Sequence, residues 1–510
     1  MADALSVVHV TIDSLNRHAL AAYGFGGRAG WAGTATPNLD AFARRAVTFE
    51  NHRTGSLACM PARREMWTGR TDFVFRPWGP VEPFDVTVAG HFDRLHPERG
   101  VAALVTDHFH FFEHGSHGYY EDFYGYEFVR GHEMDMWRTA PLPDRLPGWA
   151  QRLVEQGERY TQYVRNALPF ASEQDFFAPR VMSAAADWLG ANAGHDPFYL
   201  MVDSFDVHEP FHVPEPYRSM YTDLSPDEHT CWPPYGRMGR GPLADFDDDD
   251  LAFAKAQYQG KVTMADKWLG RVFDALDEQD LWDRTVVIVT ADHGHYLGED
   301  GWVGKPSCAV RDTMNRIPLF VHHPDATPGA RVQAMTQTVD LYPTVLEALG
   351  EAPRSRPDGR SLVPLLTGDA AGADLHGLRA EAVYGYFGRQ MNVTDGRWSY
   401  HRQPVAGNQP LYQFSAHTMN PNEWFDAVEP QPDAQGGRWL AHTDQPVWRT
   451  PCAVSFEDEP PMLFDLEADP LQEINLHDER PDQVARMTDA LRRELGRLGA
   501  PESQFERFAL

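Results

Sequence analysis

The segment of this 510-residue chain whose residue types point most directly to chemistry is Cys59-Met60-Pro61-Ala62-Arg63. Pro61 suits the first turn of a helix, which puts Cys59 at the helix N-terminus, where free backbone amides and the dipole favour an anion. A thiol placed there can serve as a nucleophile, although a lone cysteine can equally be a small buried apolar residue. Four further segments carry acids and imidazoles: Asp13-Ser14, Asp107-His108-Phe109-His110, Asp206-Val207-His208-Glu209-Pro210 and Asp292-His293-Gly294. Lys305 stands out for another reason. Lysine occurs only at positions 255, 261, 267 and 305, and arginine fills every other strongly basic position. A lysine in this chain therefore marks a place where a compact ammonium is preferred to a planar guanidinium.

These residues need elements to bring them together. Short apolar runs at 7–12, 101–106, 198–202, 285–290 and 317–322 read as buried strands with little polar alternation. Between them lie helical patterns, one opening at Thr36-Pro37 and a long amphipathic one over 251–281. The alternation predicts an α/β fold with a mainly parallel sheet flanked by helices. Asp13, Asp107-His108, Asp206 with His208, and Asp292-His293 each follow a strand, at the carboxyl ends where ligands bind in such sheets. After Gly368 the pattern changes to short alternating runs at 382–387, 391–394 and 398–401, with a turn at Asp395-Gly396, as expected of antiparallel hairpins. We therefore expect a catalytic α/β domain over 1–370 and a smaller C-terminal α+β subdomain over 371–510. In the latter, 404–454 reads as an irregular insertion and 481–498 as a closing helix.

The charge count is 45 Lys plus Arg against 74 Asp plus Glu, a formal net charge of -29, which disfavours nucleic acid as a partner. An anionic substrate must then be met by a locally positive pocket. With 42% apolar and 23% charged residues the composition is that of a folded globular chain. No apolar run is long enough for a membrane span and residues 1–10 lack a leader pattern, so a soluble, cytoplasmic protein without membrane attachment is expected. Cys59, Cys231, Cys308 and Cys452 form no CxxC pair, which argues against a disulfide scaffold or a zinc ribbon.

In chain order, Asp13, Thr36-Pro37-Asn38-Leu39-Asp40, Cys59 through Arg70, Tyr258 through Asp266 to Gly270, Thr290-Ala291-Asp292-His293-Gly294, Gly304-Lys305, Arg316-Ile317-Pro318-Leu319 and Leu463-Phe464-Asp465-Leu466 span nearly the whole sequence. Together they resemble the sulfatase family of the alkaline phosphatase superfamily. The resemblance implies an alkaline-phosphatase-like fold and conversion of Cys59 to formylglycine by a formylglycine-generating enzyme. It implies a divalent metal held by Asp13, Asp292, His293 and the Cys59-derived hydroxyl, calcium first, with magnesium or manganese as alternatives. It further implies that Arg63 holds the aldehyde hydrate, that His110 and His208 donate protons, and that Lys305 bridges the ester oxygens.

The chain also departs from its relatives. Asp13-Ser14 stands where many sulfatases have two aspartates, and Asp292-His293 where many have Asp-Asn, a feature of the phosphonate monoester hydrolase branch. His108 replaces a common lysine two residues before His110 and is expected to contact the anion. The substrate is expected to be a small anionic ester, with self-association left open. The leading expectation is hydrolysis of sulfate esters. The alternatives are a phosphonate monoester or phosphodiester hydrolase, and a non-catalytic sulfatase-like binding protein. For the pocket walls we single out the aromatic stretches 109–126 and 411–424, with His417 reaching the site.

Overall fold

A computed structural model describes residues 4–113, 115–306, 310–368, 379–418, 431–455 and 459–510. Its main sheet contains eight strands: β1 Ser6–Ile12, β2 Val47–Arg53, β3 Val101–Thr106, β4 Gly125–Phe128, β5 Phe198–Ser204, β6 Thr285–Thr290, β7 Leu319–His322 and β8 Arg331–Gln337. They lie in the order β8-β2-β7-β6-β1-β5-β3-β4. All pairings are parallel except those of β7, which runs antiparallel to β6 and β2. β2 and β8 escape a search for continuous apolar runs because Glu50, Asn51 and His52 interrupt the first and Gln333 and Thr336 the second.

Continuous apolar strands are buried on both faces because successive side chains alternate between two cores. Val8, Val10 and Ile12 of β1 pack with Val287, Val289, Leu200 and Val202 under the long Asp248–Glu278 helix and the Phe177–Asn192 helix. Val7, Val286, Ile288, Tyr199 and Met201 face the other way, against Met60, Met66 and Trp67 of the Cys59–Thr68 helix. That helix is buried along its whole length and ends at Gly69, whose φ of 69° is the left-handed conformation that glycine adopts without strain. Trp67 packs against Phe111, Tyr119 and Phe123. Truncating it to alanine would cost about 3–5 kcal/mol and would loosen the base on which Cys59 sits.

The C-terminal part forms a five-stranded sheet from Met462–Asp465, Trp398–Arg402, Met391–Thr394, Ala382–Tyr386 and, at its edge, Ser56–Leu57. The last pairing is parallel, with Gly385 opposite Ser56 and Tyr386 opposite Leu57. The residues just before Cys59 therefore belong to the second sheet, so the two parts of the chain meet at Cys59. The boundary expected at 370 falls outside the described residues. The expected irregular insertion over 404–454 instead holds a small antiparallel sheet, in which Val447–Pro451 lies between Tyr412–Ser415 and Gln435–Gly437. The closing helix runs over Pro481–Leu498, burying Met487, Leu491 and Leu495 on the five-stranded sheet. No helix among the described residues is long and apolar enough to cross a membrane.

Candidate active site

Cys59 is the first residue of its helix, and Ala58 before it provides no side-chain cap. The Sγ lies 3.2 Å from His293 Nε2 and 3.6 Å from Lys305 Nζ. Burial, reinforced by Asp13, pushes the Cys59 thiol well above its usual range. Cys59 thus begins its helix as Pro61 suggested, while its burial beside Asp13 disfavours the thiolate. Cys231 and Cys452 are also free and buried, and Cys308 lies outside the described residues.

Asp13 follows β1, and Asp292-His293 follow β6, its neighbour in the sheet, so the parallel pairing itself sets the two segments side by side. Asp13, Cys59, Asp292 and His293 each present a ligand atom, all within 4.8 Å of one another and all buried. His293 Nδ1 donates to the Gly294 carbonyl at 2.8 Å, which leaves Nε2 unprotonated and turned to Cys59 and Asp292. Burial depresses His293 to about 3, so the ring is neutral. Gly294 is required by space, since a Cβ there would lie 1.9 Å from the Thr313 carbonyl oxygen. Ser14 braces the cluster. Its amide donates to Asp292 Oδ1 at 3.0 Å and its hydroxyl to Asp13 Oδ1 at 2.7 Å. Tyr258 of the long helix holds the same turn, donating to the Ser14 carbonyl and accepting from the Asn16 amide, each at 2.7 Å.

Two carboxylates with one imidazole nitrogen suit a hard divalent cation, and the buried Asp13 Oδ2 makes no hydrogen bond, only an ion-pair contact with Arg63 at 3.0 Å. The residues present thus fit a metal. Arg63 Nη1 donates to the Cys59 carbonyl at 3.2 Å, one helical turn back, and the guanidinium also reaches the acidic residues. Its Nε and Nη2 form a fork on Asp203 at 2.7 Å, while Nη1 is 2.7 Å from Asp292 Oδ2 and 3.0 Å from Asp13 Oδ2. Burial opposes its charge, but Asp203, Asp292 and Asp13 outweigh that and keep it protonated. Arg63 therefore ties the acidic ligands together from beneath. Asp203, the penultimate residue of β5, carries no motif and was not foreseen.

Above this floor opens a cavity of about 670 Å3 lined by Cys59, His110, Glu133, His208, Glu209 and Lys305. Lys305 Nζ contacts His208 Nε2. Burial opposes the Lys305 charge, but Cys59, Glu209 and Asp13 outweigh it and raise Lys305 above the ordinary lysine range. Burial, followed by Lys305, lowers His208 well below its usual range. Its Nε2 faces the ammonium and can accept from it. Its Nδ1 donates to the Glu209 carbonyl at 2.7 Å. Lys261 props this loop, reaching Asp206 Oδ1 at 2.5 Å and the His208 carbonyl at 2.6 Å. Two of the four lysines are thus spent on the site, and the scarcity of lysine was the signal that could have found Lys261.

His110 lines the cavity, with Nδ1 on Glu113 Oε2 at 2.5 Å. His108 does not line it. A spacing of two would set both rings on one side of an extended segment, but a short helical turn, Phe109–Phe112, begins right after His108. His108 stacks on Phe111 at 4.6 Å and packs on Phe205 at 4.1 Å, with Nε2 3.9 Å from Asp13 Oδ2. Burial, followed by Arg63, lowers it well below the usual imidazole range. His417 also stays outside the lining, its ring 6.1 Å from that of His117. The walls come instead from Trp78, Tyr235, Trp302, Tyr386 and Phe387. Of the stretch 411–424, none of the described residues lines the cavity and 419–424 lie outside them. Glu133, another lining residue, has no sequence signal at all.

The Sulfatase family model matches residues 6–351. The multifunctional alkaline phosphatase superfamily protein PehA of Trinickia caryophylli is 29% identical over 65% of this chain and 71% of its own length. The choline-sulfatase of Rhizobium meliloti is 24% identical over 71% of this chain and 72% of its own. Among solved structures, the phosphonate monoester hydrolase of Agrobacterium radiobacter superposes with a TM-score of 0.63 at 21% identity, over 97% of this chain and 95% of that one.

Proposed function

The chain belongs to the sulfatase family, and on that premise we propose that it hydrolyses sulfate esters of small molecules at the cavity over Cys59, using formylglycine made from Cys59 and a divalent cation. The observation that carries the reading is the gathering of Asp13, Cys59, Asp292 and His293 within 4.8 Å, under a wall that presents Lys305 and His208. A hydrated formylglycine would supply two geminal hydroxyls, one to attack the ester and one to release the bound oxyanion. A cation on Asp13, Asp292 and His293, with calcium favoured by the oxygen-rich set, would supply positive charge for that hydroxyl and for the ester oxygens.

The remaining work falls to this chain's own side chains. Arg63 and Ser14 hold the carboxylates in place before substrate arrives, so no reorganisation is needed during reaction. Lys305 compensates the anion in a cavity within an acidic protein. The proton required by the departing oxygen is held between Lys305 Nζ and His208 Nε2. The aromatic walls exclude water and receive the alcohol part. A second reading, hydrolysis of phosphonate monoesters or phosphodiesters by the same groups, is favoured by the imidazole of His293 standing beside Asp292.

The test is turnover of an aryl sulfate, an aryl phosphonate monoester and an aryl phosphodiester, with peptide mass spectrometry of residue 59. Cys59→Ala and chelation should each bring turnover to background. Full activity with an unmodified thiol, or in chelator, overturns the reading. A preference for the phosphorus esters selects the second one.

A further inference from the structure

Glu133 belongs to none of the motif segments, yet its carboxylate sits between the two histidines that line the cavity. Oε1 is 3.1 Å from His208 Nδ1 and Oε2 is 3.8 Å from His110 Nε2. The histidines come from loops after different strands, β5 and β3, and Glu133 is the side chain common to both. Its backbone has a φ of 44°, a left-handed conformation that costs a non-glycine residue roughly 1–3 kcal/mol and persists only where the surroundings enforce it. Those surroundings are unusually well tied. Asp135 accepts from the Gly131 amide at 2.7 Å and from Arg130 Nε and Nη2 at 2.7 Å each, and Asn166 Nδ2 donates to the carbonyls of Gly131 and Asp135. The loop 130–136 thus spends conformational energy on aiming one buried carboxylate into the cavity.

We propose that Glu133 is a positioning residue for the proton donor of this site: its carboxylate shares the His208 Nδ1–H with the Glu209 carbonyl, so that Nε2 stays turned to Lys305 and to the departing ester oxygen. A metal between Glu133, His208 and Glu209 is a poorer account of the same cluster, because His208 Nδ1, the ring nitrogen that faces both carboxylates, already donates to the Glu209 carbonyl. The negative charge behind the ring also favours the imidazolium formed whenever Nε2 carries a proton, as a carboxylate behind a histidine does in other acid–base pairs. This inference rests on the ester-hydrolase reading above, and it makes a demand of its own. Help given to a leaving group matters in proportion to how poor that group is.

The experiment compares the enzyme as purified with Glu133→Gln and Glu133→Asn across aryl esters of falling leaving-group acidity, using whichever ester class the wild type hydrolyses. Asparagine tolerates the left-handed backbone, so the second variant retains the fold if glutamine does not. We expect kcat to fall about 10–100-fold for poor leaving groups and less than about threefold for good ones, with KM little changed. In a His208→Ala background the same substitutions should add almost nothing. An equal loss across the series, or full additivity with His208→Ala, overturns the proposal. In parallel, nitrogen NMR of histidine-labelled protein should show the His208 Nδ1–H signal shift on Glu133→Gln. A wild type inactive on every ester would sink the hydrolase reading while that signal still decides the contact, and an unmoved signal overturns it.

Discussion

On the floor of the site one guanidinium touches three carboxylates, and every partner is fully buried: Arg63 with Asp13, Asp203 and Asp292. On the wall, around the cavity, Lys305, His208, Glu133 and Glu209 are close enough to exchange protons, and burial pushes Glu209 up to about 7. The floor is cross-braced, with one guanidinium bonded to all three carboxylates. The wall is adjustable, because a carboxylate near neutrality can take up a proton when its cation is lost. One side suits holding a fixed cation and nucleophile, and the other suits delivering a proton.

The largest effect that could break this comparison comes from removing one cation from each side. Arg63→Met leaves three buried carboxylates without their partner and should cost about 3–5 kcal/mol of stability together with all activity. Lys305→Met should lower kcat about 100- to 1000-fold but cost less stability than Arg63→Met, since Glu209, near 7, can take up a proton. Denaturant unfolding beside steady-state kinetics separates the two, and equal stability losses would dissolve the distinction.

A pH effect of intermediate size tests the floor's supports. Glu65 lies on the Cys59–Thr68 helix and accepts from the Gly55 amide and the hydroxyls of Ser56 and Thr338. Burial nevertheless raises it to about 7 from an ordinary 4.5. A folded pKa above the unfolded one means that its favourable contribution is complete below about pH 4.5 and is lost as pH rises through about 7. Between those limits wild-type stability should decline by on the order of 3 kcal/mol from this group, and Glu65→Gln should flatten that part of the profile. A variant whose unfolding free energy keeps the wild-type slope would assign the decline to other acids such as Asp85 and Asp266, which burial raises to about 6.

The smallest effects concern the histidines that the sequence placed against the anion. His108→Phe keeps a flat ring between Phe111 and Phe205 and should change KM by less than about threefold and stability by about 1 kcal/mol or less. His417→Ala should leave kinetics unchanged. A tenfold rise in KM from either would return that residue to the substrate pocket.

Which segments converge was legible from order and periodicity, because a parallel sheet must bring the carboxyl ends of its strands together. Asp13, Asp206, His208 and Asp292-His293 all follow from that rule, as does the main sheet with its antiparallel companion. The C-x-P-x-R spacing likewise placed Cys59 at a helix start. Lys305 was marked by the rarity of its kind. What the sequence could not carry is which neighbour each side chain turns to. Arg63 is one helical turn from Cys59, but its direction was decided by Asp203, Asp13 and Asp292 arriving from β5, β1 and β6. His108 and His110 keep a spacing of two, yet a helical turn between them sends one ring to the floor and the other to the wall. Glu133 has no periodicity or motif, and only the hydrogen bonds that hold its loop in a left-handed turn bring it to His208. Local pattern determines elements and their ends, whereas the pairing of buried charges depends on contacts between residues far apart in sequence, and only the tertiary structure decides those.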